Sequence, residues 1–541
     1  SFSNKLNKKT ILFNRIAFIF FLFVFFSLIF SLKIFYYGSL SQEQSSDNEN
    51  FKRKILRSDI IDIEGDFLAK TVITNNIGII PDNEKNEKKL FLKLKILFPD
   101  LDFENFKDQF KKKKFFYLKK KLSPEEYGQV RLLGEKSIVV EQKITRIYPH
   151  RNLFSHVLGQ IDDENNGISG LEKTQDKNLK NLDKKLQLTL DTNIQYLIRN
   201  ELIKFKNIFR SQGSAALLMN INNGDILSLV SLPDFNINQR NDITDLKYIN
   251  RITKGVYELG SIFKTFTLAG AINEKIVDKN TNFKNLPKSI YCADRKISEY
   301  DMDIPTDLTA EQILIRSGNI GSVRIAQKVG QENFKSFLYD LGLLDTLEFD
   351  IDEIGTPLKF NWGKCKLATS AYGHGITTTP LQLAKGYSII SNGGYDIKPT
   401  LILNYKKRDI RYKKIISDEA SKSVNLALRK IVTTKEGTAN FANINGYEIA
   451  GKTGTAQKSV AGGYSKNKIN TFASIFPSSN PKYVLVVMLD EPKPNKDYIY
   501  EYKDGSGWKI KGTQFNTAGW TAVEVTGKII EKIGPILATK Y

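Results

Sequence analysis

The sequence predicts an α/β or α+β fold in its larger, C-terminal part, and three observations carry that expectation. Apolar runs at 215–221 and 226–230 flank Asn223-Gly224, a pair that tolerates the positive φ angles of a tight turn, so this stretch reads as a hairpin. Two more strand-like runs, 472–476 and 483–489, come much later in the chain. Helical patterns lie between the two pairs, and 522–533 reads as a closing helix. Strands far apart in sequence with helices between them fit an antiparallel sheet covered by helices. About 350 residues, 186–541, are enough for one such domain.

At the N-terminus, Lys5, Lys8, Lys9 and Arg15 precede an uncharged apolar run, 16–32, which continues past Lys33 through Ile34, Phe35, Tyr36 and Tyr37. That length is at the short end of what spans a bilayer and longer than the core of an ordinary cleavable signal. Ser39-Leu40-Ser41 leaves a cleavage site open, but the better reading of 1–38 is a cytoplasmic stub with an uncleaved anchor. Glu43, Asp47 and Glu49 follow the run, so the basic side stays in the cytoplasm and everything after it lies outside.

Residues 39–185 alternate short strands with charged helices. Gly65 supplies a turn between strands at 57–69, a helix is expected over 88–98 and stops at Pro99-Asp100, and the basic block 111–121 surrounds Phe115, Phe116, Tyr117 and Leu118. Aromatics among lysines can stack on single-stranded nucleic acid, but a half-buried strand or helix edge explains them better outside a cell. The region holds no catalytic constellation and reads as a pedestal that bears partners.

The net charge of +21 is spread along the chain without a recognition motif, which argues against nucleic acid as a partner. Cys292 and Cys365 are the only cysteines, so there is no disulfide framework and no zinc spacing, although one bridge between them stays open. His150, His156 and His374 form no ligand cluster and no Ser/His/Asp pattern. A nucleophile here needs another base.

Ser261 and Lys264 offer one. Gly260 is placed as a turn into a helix over 261–274, which sets the hydroxyl and the amine on one face at i and i+3. A lysine can take the serine proton only if burial, a second cation or a helix terminus makes its ammonium acidic. The same short pattern at Ser465/Lys468, Ser479/Lys482 and Ser506/Lys509 reads as solvated turns, and an isolated copy means little. Ser317-Gly318-Asn319, between helices at 310–315 and 323–329, can turn a hydroxyl and an amide into one cleft. Residues 447–456 read as a strand in which Gly451 and Gly454 allow another backbone close, so that an extended peptide could pair with it. Lys452, Thr453 and Thr455 would then hold its carboxylate. The stretch 446–453 also fits the phosphate-loop pattern, but its strand-like interior and the poor helix start at Thr453-Gly454-Thr455 speak against nucleotide.

Taken together, Ser261-x-x-Lys264, Ser317-x-Asn319 and Lys452-Thr453-Gly454, in this order and at these separations, resemble the penicillin-binding protein family. Residues 57–69, Arg146-Ile147-Tyr148-Pro149-His150, 167–172, 257–264 and 379–384 are similar to its class B, septal cell-division branch. Two departures stand out. Leu259 replaces a usual proline, and Gly318 replaces a frequent serine.

The resemblance implies the penicillin-recognising serine transferase fold on an elongated pedestal, and peptidoglycan D,D-transpeptidation. Ser261 would attack the D-Ala-D-Ala carbonyl with Lys264 as base, and the backbone N–H groups of Ser261 and Thr455 would form the oxyanion hole. Ser317, with Lys264 or Lys452, would protonate the leaving D-Ala. Asn319 would hold the donor backbone, while Lys452, Thr453, Gly454 and Thr455 bind its end. β-Lactams would acylate the same serine. No metal or organic cofactor is implied. The expected setting is the bacterial inner membrane, single-pass, N-terminus cytoplasmic and bulk periplasmic. The expected partners there are a polytopic glycosyltransferase of the shape, elongation, division and sporulation family and other division proteins. Elongation duty, a carboxypeptidase of the same fold and a catalytically idle scaffold are the alternatives.

Overall fold

The structure is a computed structural model that describes residues 15–36, 57–81, 87–181, 184–239, 245–293, 295–403, 413–460 and 463–541. The basic stub before Arg15, the small residues at 39–41 and the acidic residues after the apolar run lie outside the described residues. Helix α1, Arg15–Tyr36, is 22 residues long with a mean hydropathy of 2.6, and none of its most apolar stretch is buried. At 1.5 Å per residue it is roughly 33 Å long, enough to cross a hydrocarbon core. It is consistent with a membrane anchor.

After this helix the chain divides into two compact units. The smaller takes in Ile73–Ile144, and the larger Ser58–Val72, Thr145–Leu179 and Asp183–Tyr541. Segments 58–72 and 145–179, which the sequence groups with the pedestal, thus pack with the larger unit. One cause is bonding to later parts of the chain: Ile60 and Ile61 pair with Leu186 and Gln187, the Tyr148 N–H donates to Asn238 Oδ1 at 3.1 Å, and the Thr174 hydroxyl donates to the Asp350 carbonyl at 2.6 Å.

In the smaller unit, helices α2 (Glu87–Leu97), α3 (Phe103–Lys111) and α4 (Pro124–Leu132) pack on strands around Ile77, Leu90, Leu94, Phe106, Phe110, Leu122 and Val130. Asp102 caps α3, and a Ser123/Glu126 capping box with Pro124 at the first turn starts α4. The basic block contains the strand Phe116–Leu122, with Phe116 and Leu118 packed on the core while Phe115 and Tyr117 face out. It is the half-buried edge that its aromatic-lysine pattern suggested.

The larger unit is α+β. Strands β1 (Gly213–Asn220) and β2 (Ile226–Leu232) form the expected hairpin, with Gly224 at φ +80°. They join β3 (Ala450–Val460), β4 (Gly463–Phe476) and β5 (Tyr483–Asp490) in a fully antiparallel sheet of order β3-β4-β5-β1-β2. The central strands are buried on both faces, which is why 483–489 reads as continuous apolar sequence rather than alternating. Helices Thr192–Ile208 and Ala522–Lys540 pack together on one side. The closing helix continues past the expected end through Pro535. On the other side lie α5 (Phe263–Asn273), Pro380–Ser391 and Asp418–Thr433. β3 is an edge strand.

Two local expectations are corrected. Residues 447–449 are not strand: a turn covers 445–447, Glu448 sits at φ +45°, and β3 begins at Ala450. Ser465 and Lys468 sit within β4 rather than in a solvated turn, because the β3–β4 hairpin is longer than its Gly- and Asn-rich tip suggests.

Candidate active site

A cleft of about 730 Å³ opens in the larger unit, and Ser261, Lys264, Ser317, Asn319, Thr453 and Thr455 all line it. They reach it from three elements. Ser261 lies in a 3-10 turn, Gly260–Ile262, that leads directly into α5, so the helix proper starts two residues later than expected. Gly260 sits at φ +60°, and a Cβ there would lie 2.8 Å from the Thr455 carbonyl. A Cβ on Gly454 would lie 2.2 Å from the Leu259 carbonyl. Gly454 therefore lets β3 close on the Ser261 turn, bringing the backbones of Thr455 and Ser261 together. Gly451 has a different reason, since a Cβ there would meet the Ala473 carbonyl of β4 at 2.5 Å. The glycines serve the protein's own packing first.

Ser317 occupies the left-handed region at φ +57°, a conformation that costs about 1–3 kcal/mol for a residue with a side chain. It ends the helix Ala310–Ile315 and precedes α6, Asn319–Val329. Its hydroxyl accepts hydrogen bonds from both lysines, Lys264 Nζ at 3.1 Å and Lys452 Nζ at 2.9 Å. Lys264 also donates to Asn319 Oδ1 at 2.7 Å and to the Ser317 carbonyl at 2.5 Å. Lys452 also donates to the Thr453 carbonyl at 3.1 Å. No hydrogen bond joins Ser261 to Lys264 among the described residues.

Both lysines are almost wholly buried, at 2% and 0% exposure. Desolvation pulls Lys264 down to about 7, against the opposing pull of the Glu299 carboxylate. Burial, then the charge of Lys264, holds Lys452 well below its ordinary value. Two cations on one hydroxyl in a dry site cannot both keep their protons cheaply, so the pair titrates as a unit. A neutral Lys264 would keep two N–H bonds, enough for Asn319 and the Ser317 carbonyl, and free a lone pair for a serine proton.

On β3 the alternation of the strand turns Thr453 and Thr455 to one face and Lys452 to the other. The Lys452 ammonium nonetheless reaches the cleft's hydroxyls, Ser317 Oγ at 2.9 Å and Thr453 Oγ1 at 3.5 Å. Thr453 Oγ1 pairs with Thr438 Oγ1 at 2.7 Å, and Thr455 Oγ1 accepts from the Ala518 N–H at 2.9 Å, which leaves its own proton for a ligand. Lys452-Thr453 lies inside a strand, so the phosphate-loop reading fails: no helix begins there to receive phosphate.

Sequence reasoning missed Glu299. Its carboxylate, 8% exposed, accepts the N–H groups of Asn319 at 2.6 Å and Ile320 at 2.8 Å, and so fixes the start of α6. Ser298 receives the Asn319 Nδ2 donor at 2.7 Å. Both residues close a small hairpin, β6 (Ser289–Cys292) with β7 (Arg295–Ser298), placed between the labelled strands β2 and β3 in sequence. Cys292 and Cys365 are disulfide-bonded, with Cα atoms 5.6 Å apart, which ties this hairpin to the start of the helix Lys366–Ser370. A lone glutamate with no motif around it carries no signal in one sequence. Among the described residues no group of His, Cys, Asp and Glu could hold a metal.

The comparisons with known proteins agree with this geometry. The model of the penicillin-binding protein transpeptidase domain matches residues 214–506, and that of the penicillin-binding protein dimerisation domain matches residues 53–203. A probable peptidoglycan D,D-transpeptidase FtsI of Caulobacter vibrioides is 27% identical over 434 residues, 77% of this chain and 71% of that protein. Stage V sporulation protein D of Bacillus subtilis is 28% identical over 505 residues, 84% and 77% of the two chains. A probable peptidoglycan D,D-transpeptidase PenA of Neisseria gonorrhoeae is 26% identical over 517 residues, 88% and 87%. With its cleft, its three motif-bearing elements and both domain matches in place, the chain belongs to the penicillin-binding protein family, as a class B member that couples a dimerisation domain to a serine-type D,D-transpeptidase domain.

Proposed function

We propose that this chain cross-links peptidoglycan stem peptides at the division septum through an acyl-enzyme on Ser261, and that β-lactams acylate the same residue. The observation that carries the reaction is the convergence of two buried lysines on the Ser317 hydroxyl, in the cleft that also holds Ser261. Neutral Lys264 takes the Ser261 proton as the hydroxyl attacks the D-Ala-D-Ala carbonyl. The Ser261 and Thr455 N–H groups receive the oxyanion, each such donor being worth about a hundred- to a thousandfold in rate. Ser317 relays a proton to the leaving D-Ala and recovers one from Lys452 or Lys264. Thr453 and Thr455 take the terminal carboxylate with the charge of Lys452 against Thr453, and Gly454 keeps that strand close to the nucleophile. Asn319 orients Lys264 and has one amide hydrogen left for the donor backbone. An amine of a neighbouring stem then resolves the ester.

The septal assignment is supported by Tyr257-Glu258, by residues 379–384 and by the FtsI relative. The residues at 39–185 act as the pedestal, the N-terminus is cytoplasmic and the catalytic unit periplasmic, with a polytopic glycosyltransferase as the membrane partner.

The test is intact-protein mass after exposure to a fluorescent penicillin. A stable adduct on the wild type that is absent from Ser261→Ala supports the reading, and no adduct on folded protein overturns it. Depletion in the host should give filaments, and round cells would move the assignment to elongation.

A further inference from the structure

The cleft has a second wall whose chemistry the acylation steps do not use. Glu258 lines it three residues before Ser261, so by chain length alone its backbone lies within about 11 Å of the nucleophile's. The Tyr257–Thr378 bridge holds the backbone beside it, with N–H···O distances of 2.9 and 3.0 Å in the two directions. The carboxylate is fixed as well. One oxygen accepts the Gly375 N–H at 2.9 Å, and the other accepts the Tyr464 hydroxyl at 2.9 Å. Each oxygen keeps a further lone pair.

Among the described residues no Lys or Arg forms an ion pair with the carboxylate. His374 Nδ1 stands 3.7 Å away, and burial lowers that imidazole below its ordinary value against the opposing pull of Glu258. Lys366 and Arg295 are the cations whose charge reaches this wall. Neither forms an ion pair with Glu258 among the described residues. Lys366 donates instead to the Gly375 carbonyl and lies 3.3 Å over the Phe360 ring. Around the carboxylate stand aromatic faces. His374 stacks near Tyr372, with centroids 6.0 Å apart at 11°, and near Tyr464, 4.9 Å apart at 30°. All three rings line the cleft.

A fixed carboxylate with no Lys or Arg in direct contact, set among aromatic rings that line the cleft, is a receptor for an organic cation. Transpeptidation requires one such ligand, because the acceptor is an amine that arrives protonated. We propose that Glu258, with the rings of Tyr464 and His374, receives the acceptor amine as an ammonium and delivers it to the Ser261 ester. This rests on the acyl-transfer reading above. The ammonium gives up one proton to neutral Lys264 or to water. The amine nitrogen then bonds to the acyl carbon, the carbon–Oγ bond of Ser261 breaks, and the second nitrogen proton ends on Oγ. Thr453 and Thr455, with Lys452 against Thr453, suit the donor's carboxylate, so the two substrates are sorted by charge.

The experiment uses the full chain, a thioester analogue of D-Ala-D-Ala as donor, and two acceptors. One is D-alaninamide, charged at neutral pH, and the other is hydroxylamine, uncharged there. Penicillin acylation is measured on the same samples. Glu258→Gln should lower the ratio of aminolysis to hydrolysis at least tenfold with D-alaninamide and little with hydroxylamine, with acylation changed far less. Glu258→Asp should restore part of the ratio. Tyr464→Phe keeps the charge and the ring but loosens the carboxylate, so it should lower the D-alaninamide ratio less than Glu258→Gln does. If Glu258→Gln and Tyr464→Phe slow acylation and both transfers equally, Glu258 is a structural clamp and the proposal is overturned. An unchanged ratio overturns it as well. Failure of penicillin to acylate the wild type would instead overturn the acyl-transfer reading itself.

Discussion

The two units of this chain share an apolar kind of core but differ in what else they bury. The core of the smaller one is made of Ile, Leu, Val and Phe, with edge-to-face contacts such as Phe91 on Phe106 at 4.6 Å. The larger one buries Lys264, Lys452 and Glu299 within a few ångströms of a single serine. Burying charge costs stability unless partners repay it, whereas apolar burial is favourable by itself. The contrast says where the chain spends free energy for chemistry and where it only needs to stand.

The sharpest break of that contrast is Lys264→Met. It should slow acylation by about a hundred- to ten-thousandfold, the range typical of a lost general base, as read from the second-order rate with a fluorescent penicillin. The same change should raise the melting temperature at pH 7, because an apolar side chain replaces a buried cation. The sign follows from linkage. The folded pKa of Lys264, about 7, lies below its unfolded value, so the unfolded chain binds more protons between the two. Burying this lysine therefore penalises the fold fully below pH 7, and stability should rise as pH climbs from 7 towards 10. A melting temperature unchanged in Lys264→Met would mean that its hydrogen bonds already offset its burial.

Phe106→Ala tests the other side. It should cost the smaller unit about 3–5 kcal/mol in denaturant unfolding and leave penicillin acylation at the wild-type rate. A slower acylation would mean that the two interiors are energetically one. The Cys292→Ser/Cys365→Ser double variant comes next. The bridge closes a separation of 73 residues and should be worth about 2–4 kcal/mol to the larger unit alone. Smallest in rate but most specific is Glu299→Gln. Its carboxylate pulls the Lys264 pKa upwards, so removing the charge should move the acid limb of the acylation profile to lower pH. A limb that stays in place would show that Glu299 acts only through the α6 backbone.

What could be read from the sequence was what is local. Asn223-Gly224 between apolar runs announces its hairpin, and three short polar motifs in order announce their cleft. Ser123 and Glu126 are a cap spelled out in four residues. What could not be read depends on partners distant in sequence. Gly454 looks like room for a substrate, but its space is taken by the Leu259 carbonyl, nearly two hundred residues earlier in the chain. Glu299 has no pattern until the α6 N-terminus is folded against it. The interleaving of 58–72 and 145–179 with the larger unit rests on partners far along the chain, such as Asn238 for Tyr148 and Asp350 for Thr174.

The Cys292–Cys365 bridge also sets an order in time. Disulfides persist in oxidising compartments and are rare where thiols are kept reduced. On the proposed topology, with the catalytic unit outside the membrane, this bond closes only after the chain has crossed. The hairpin that carries Ser298 and Glu299 to the start of α6 would then be among the last parts of the cleft to be locked. A newly made chain still on the inner side would hold an unfinished site, completed only after export.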